Sequence, residues 1–161
     1  MAPSTNNIAF TAPINPPGAS PILTRSQIWA MHRLKIESAE IFVPGAISST
    51  SVLSTSTSPE TGNTITIREV TFIEGNRKVK ETVTEFEDCR VEFEQEDGSR
   101  ISNIVSDGEG GLYLTFVFEW KHPGVEGAEL AKWREKEQAM SRKAVEGTIE
   151  AMRRLVREGK Y

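Results

Sequence analysis

The stretch PGVEGAELAKWREKEQAMSRKAVEGTIEAMRRLVREGKY, residues 123–161, decides the fold. Leu130, Trp133, Met140, Ala144, Val145, Thr148, Ile149, Met152, Leu155 and Val156 recur at three- and four-residue steps. That spacing lines one face of a helix. Lys132, Glu135, Lys136, Arg142, Lys143, Glu146, Arg153 and Arg157 fall mostly on the other side. The reading is one long amphipathic helix from about Val125 to Glu158. Such a helix needs an apolar surface to lie against.

The β-rich segment before it is the only candidate. Leu112 to Trp120 alternates, with Leu112, Leu114, Phe116, Phe118 and Trp120 on one face. Glu119 falls on the other face and is expected to point outward. Thr64–Ile73, Val79–Phe86, Arg90–Gln95 and Ile101–Val105 also read as strands, joined by short turns such as Glu74-Gly75-Asn76 and Glu96-Asp97-Gly98-Ser99. Short turns make sequential strands antiparallel. Asp107 to Gly111 reads as a hairpin or gate. The long helix must then cover the most apolar face of the sheet.

Further out, Thr24-Arg25-Ser26-Gln27 has the form of a capping box, with Thr24 as N-cap. The helix that follows, Arg25 to about Ile41, has an imperfect apolar pattern that suits a split or bent helix. Pro44-Gly45 ends it. Ile8–Ile14 and Ile47–Thr55 read as two more strands, and Met1–Asn7 as a frayed end. The expectation is an α+β fold: a curved antiparallel sheet of about six or seven strands wrapped around the C-terminal helix. The 161 residues suit one domain and show no internal repeat or dividing linker.

Charge narrows the partners. Residues 59–119 carry 14 acids against 6 Lys/Arg, so the sheet is a poor phosphate-binding surface and nucleic acid is excluded as an expected partner. The excess of Lys/Arg in residues 121–161 reads as a solvated helix face. Cys89 is the only cysteine, which rules out an intrachain disulfide. The N-terminus has neither a basic n-region nor an apolar h-region, and no run reaches membrane-span length. A cytoplasmic protein is the expectation. A homodimer stays open.

Five blocks carry a resemblance: Thr11-Ala12-Pro13-Ile14-Asn15-Pro16-Pro17-Gly18, Arg68-Glu69-Val70-Thr71-Phe72, Val91-Glu92-Phe93-Glu94-Gln95-Glu96-Asp97-Gly98, Asn103-Ile104-Val105-Ser106-Asp107-Gly108 and Phe116-Val117-Phe118-Glu119-Trp120. On these the chain resembles the helix-grip superfamily of Bet v 1, START-type and polyketide-cyclase-like (SRPBCC) domains. More closely, it resembles the fungal type of a branch known as DUF1857. The resemblance implies an internal cavity for apolar small molecules. It supplies no agreed catalytic residue.

The usual catalytic signatures are absent. His32 and His122 do not stand in a metal-ligand spacing, and no Gly-rich phosphate loop opens a helix, so no metal or cofactor is expected. The informative residues are polar groups on apolar faces. Glu69 shares its face with Ile65 and Ile67, Glu81 with Val79 and Val83, and Asn103 with Ile101 and Val105. Turned inward, the two carboxylates and the amide would enter an apolar cavity, where desolvation raises a carboxyl pKa into the range of an acid-base catalyst. Glu69 and Glu81 would then work as a pair. Turned outward, they are merely solvated; a structural ion pair between Glu69 and an arginine is the third alternative. His32, beside Ile28 and Trp29, could reach the cavity mouth.

Trp29, Val91, Phe93, Phe116, Phe118, Met140, Ala144 and Thr148 are the expected lining of a cavity of roughly 300–1,000 Å³. Two readings of function follow. One is a cofactor-free cyclase, isomerase or dehydratase of a polyketide- or terpenoid-like intermediate. The other is a carrier or sensor that binds an apolar ligand unchanged. A protein-interaction module with a filled core is a third class.

Overall fold

The computed structural model describes residues 4–161. The elements run β1 (Thr5–Pro13), α1 (Arg25–Glu37), a one-turn 3-10 helix (Ala39–Ile41), β2 (Ile47–Thr57) and β3 (Thr64–Phe72). After a second short turn of helix (Glu74–Asn76) come β4 (Arg77–Phe86), β5 (Arg90–Gln95), β6 (Arg100–Gly108), β7 (Gly111–Lys121) and α2 (Gly127–Arg157). The seven strands form one antiparallel sheet in the order β1-β7-β6-β5-β4-β3-β2. This is the helix-grip architecture, an α+β fold with a long C-terminal helix held by a curved sheet.

Local chemistry explains the boundaries. Thr24 accepts from the Gln27 backbone N–H, and the Gln27 side chain accepts from the Thr24 backbone N–H, which closes the capping box. α1 stops at Glu37, and the chain continues into the one-turn helix. The split in the expected helix therefore falls at Ser38. The N-terminal strand starts at Thr5 rather than Ile8, because β1 pairs with β7 from Thr5↔Lys121 to Pro13↔Tyr113. Thr5–Asn7 are thus ordered in the sheet, and the Ser4 carbonyl accepts from the His122 N–H; residues 1–3 of the expected frayed end lie outside the described residues. The Asp107–Gly111 loop shrinks to a tight hairpin in which Gly108 pairs with Gly111. A Cβ on Gly108 would stand 2.6 Å from the Tyr113 ring, so this hairpin needs a glycine there.

α2 lays Val145, Thr148, Ile149, Met152 and Leu155 into the core. They meet Leu114, Phe116 and Phe118 of β7, Ile8 of β1, and Ile28 and Met31 of α1. Met140 departs from the expected lining: it is 40% exposed. Ala144 is half-buried and packs at the margin of the core. Glu119 points outward to Lys121, as its place on the strand requires. Among the described residues no helix is long and apolar enough to cross a membrane.

Candidate functional site

The register of β3 on β4 decides which carboxylate is inside. Val79, Glu81 and Val83 turn inward and are buried. Cross-strand partners share a face, and the partner of Glu81 is Arg68. Arg68 is therefore inside with Thr66 and Val70, while Glu69 faces the other way opposite Lys80. The expected Glu69–Glu81 pair is not formed. On this register one of the two must face out whenever the other faces in.

Glu81 is fully engaged. Its Oε1 accepts from Arg68 Nε at 3.0 Å and Nη2 at 2.7 Å, and its Oε2 accepts from Gln95 Nε2 at 3.1 Å. The remaining Arg68 nitrogen donates to the backbone carbonyls of Lys35 and Ile36, both at 2.9 Å. The Arg68 guanidinium also lies over the Phe93 ring, 4.7 Å from its centre. This ion pair fastens the end of α1 to the sheet. The expected alternative, an ion pair between Glu69 and an arginine, is not formed; Arg68 pairs with Glu81 instead.

Beside it lies a group of polar side chains that is only half satisfied. Lys35 Nζ donates to Asn103 Oδ1 at 2.7 Å and sits 4.2 Å from the centre of the Phe116 ring. Asn103 Nδ2 has no partner. Its strand neighbours are Val91 and Phe116, so the amide emerges between apolar walls. His32, one turn before Lys35 on α1, is 1% exposed, and neither of its ring nitrogens is paired. Trp29 covers it, with ring centres 6.0 Å apart. From the α2 side Thr148 is wholly buried with an unpaired hydroxyl. Burial first, and the neighbouring Lys35 charge second, hold the His32 pKa down to about 3. Burial and then the Arg68 charge lower that of Lys35 to about 7, against a smaller upward pull from Glu81.

Of the expected site residues, Glu81, Asn103, His32, Trp29, Val91, Phe93, Phe116, Phe118 and Thr148 are inside, Ala144 is at the margin, and Glu69 and Met140 are not inside. Lys35 was not foreseen. A signal for it exists: Ile28, His32, Lys35 and Ala39 follow one another at three- and four-residue steps. That periodicity puts a lysine on a buried face.

Two grooves open at the surface. A groove of about 690 Å³ runs between α2, the end of β1 and the Phe42–Pro44 turn, past Gly147, Arg154 and Arg157. A smaller one of about 300 Å³ lies at Arg33, Ile36, Val52 and Glu85. Neither touches Phe93, Phe116 or Thr148, where the cavity was expected. Phe42, Ile149 and Ala151 nevertheless form both the groove floor and the core wall. Among the described residues no three His, Cys, Asp or Glu side chains are grouped to hold a metal ion.

Residues 8–159 match the family described as acetylaranotin biosynthesis cluster protein L, AtaL. The chain belongs to the AtaL family. It is 32% identical over 158 residues to the acetylaranotin biosynthesis cluster protein L of Aspergillus terreus, covering 96% of this chain and 92% of that one. Three solved structures share the fold of this AtaL-family chain at much lower identity. The Bacillus halodurans protein BH1534 is 16% identical, with a TM-score of 0.59 over 91% of this chain and 96% of its own. The di-domain ARO/CYC StfQ of the steffimycin biosynthetic pathway is 9% identical, with a TM-score of 0.62 over 96% of this chain and 52% of its own. Ara h 8.0201 is 11% identical, with a TM-score of 0.54 over 96% and 99%.

Proposed function

We propose that this AtaL-family chain holds an apolar small molecule bearing carbonyl or hydroxyl groups between α2 and the sheet. Its role is that of a cofactor-independent cyclase, isomerase or dehydratase of a polyketide- or terpenoid-like intermediate. One observation carries the reading: His32, Asn103 and Thr148 all have buried polar atoms without a partner. A buried polar group without a partner costs about 1–3 kcal/mol, and folded proteins leave few of them. A ligand with oxygen atoms along an apolar body would satisfy them; a hydrocarbon would not. The kinship to a protein named for a biosynthesis cluster supports this reading. So does the shared fold with an ARO/CYC protein.

Asn103 Nδ2 is a fixed donor for a carbonyl oxygen, and stabilises it best as charge builds there on enolisation. His32, neutral at physiological pH, offers one N–H and one lone pair. Thr148 fixes a second oxygen from the α2 side. The walls restrict the substrate to folded conformations, which contributes rate by itself. The ligand reaches this space from the groove beside α2, by displacement of Phe42. The carrier reading has one observation in its favour: Glu81, the carboxylate expected to move protons, is neutralised by Arg68.

Native mass spectrometry with matched pairs of aromatic ketones and hydrocarbons tests the binding. The ketones should bind and the hydrocarbons should not, and Asn103→Leu should erase the difference. Equal binding of both would leave a carrier with apolar lining only. Binding of neither would end the small-molecule reading.

A further inference from the structure

We propose that Lys35 is a nucleophile that captures a ketone or β-diketone carbonyl of the bound molecule as a Schiff base. This rests on the reading that the interior takes a carbonyl-bearing ligand. The geometry argues first for an uncharged amine. Lys35 has one hydrogen-bond acceptor, Asn103 Oδ1 at 2.7 Å, where an ammonium needs three. It has no carboxylate of its own. Glu81, which faces it from β4, gives both oxygens to Arg68 and Gln95. Arg68, facing from β3, is a cation, and His32 on the same helix face is neutral. The Phe116 and Phe93 rings, 4.2 and 5.9 Å away at their centres, and the already paired Glu81 favour a positive charge there, and burial and Arg68 outweigh them. A buried ammonium without an anion is costly, whereas a neutral amine with one N–H on Asn103 keeps its lone pair free. A lysine desolvated beside another cation is a recognised way of making an amine nucleophilic near neutral pH. Burial and Arg68 lower its pKa to about 7, which agrees.

The neighbours fit the chemistry. Nζ adds to the carbonyl carbon and the C=O π electrons move to oxygen. The resulting carbinolamine loses that oxygen with the two amine hydrogens as water, leaving C=N. Asn103 Nδ2 lies next to the amine through its own side chain and can hold the departing oxygen. The His32 lone pair, one turn away, can carry a proton between nitrogen and oxygen. The imine tautomerises to an enamine, a carbon nucleophile that can close a ring on a second carbonyl of the same chain. Hydrolysis by the released water returns the amine. Among the described residues no other lysine is buried, so the reactive amine is distinguishable from the rest.

Pentane-2,4-dione is the probe. A captured dione forms a stable enaminone with a near-ultraviolet band, and the intact mass rises by the dione less one water. The expected result is one adduct per chain, mapped by peptide mass spectrometry to Lys35 and formed faster above pH 7 than below it. Lys35→Met should lose the adduct and keep the noncovalent ketone complex. Mapping on the parent protein needs no variant, so a misfolded Lys35→Met does not spoil the test. A noncovalent complex with no adduct, or adducts only on surface lysines, overturns the nucleophile and leaves the proposed function standing. No adduct and no noncovalent complex overturns both.

Discussion

His32 and Lys35 share a buried helix face, and both lose charge there. The consequence for stability has a definite sign. An unfolded imidazole titrates near 6.5, whereas the buried one is held down to about 3. Between those values the unfolded chain binds a proton that the folded chain refuses, so stability falls as pH falls through the window. The loss reaches about 2 kcal/mol by about pH 5. Lys35 acts in the same sense in a higher window, from about 7 to 10.5, where rising pH favours the folded chain. Urea unfolding at pH 7 and pH 5 should show His32→Leu losing less stability between the two than the parent. Glu81→Gln is expected to cost about 3–5 kcal/mol, because it strands the Arg68 charge in the core. Chemical denaturation at neutral pH checks that value; a loss under 1 kcal/mol would mean that water reaches the pair. At this scale the sequence was half legible. Strand alternation marked Glu81 and Asn103 as polar groups on apolar faces. It could not say that Glu69 lies outside, because inward and outward are fixed by the cross-strand partner, and that partner is known only with the register.

The elements were the most legible part, since periodicity and turn residues act locally. β5 begins at Arg90 and ends at Gln95 as the alternation requires, and α2 falls within two residues of its expected limits. Met140 shows where periodicity fails. It lies on the apolar stripe, but in the N-terminal half of α2, where half-exposed Trp133 stacks on His122 with ring centres 5.3 Å apart. The apolar stripe of the helix is longer than the surface that receives it. Gly147 gives a prediction at this scale. A glycine inside a helix costs about 1 kcal/mol against alanine. A Cβ there would meet only the Phe42 carbonyl oxygen, at an ordinary 3.8 Å. Gly147→Ala should therefore stabilise the fold by up to about 1 kcal/mol in thermal or urea unfolding. Gly108→Ala should do the reverse, since the Tyr113 ring must move. A gain for both, or a loss for both, would show that the surrounding packing has been misread.

For the molecule as a whole, the sheet is open and β2 is an edge. Val52 and Leu53 are 43% and 53% exposed there. The β2–β3 register slips between Val52 and Ser54, which makes Leu53 the extra residue of a bulge. Edge bulges hinder pairing with another chain. Deleting Leu53 should straighten the edge and raise self-association above the parent level in sedimentation velocity; an unchanged distribution would mean the bulge does not guard it. The other edge, β1, belongs to the beginning of the chain yet pairs with nearly its end: Thr11 meets Thr115, 104 residues away. On a ribosome this becomes a matter of time. At about 5–20 residues per second, β1 waits roughly 5–20 s for its partner. β2 to β7 can zip as successive hairpins in that interval, and α2 emerges after them. Until it does, Phe116, Phe118 and the Lys35–Asn103 pair have no roof. A nascent chain is therefore most exposed to aggregation, and to stray carbonyl compounds, in the seconds before its final helix is made.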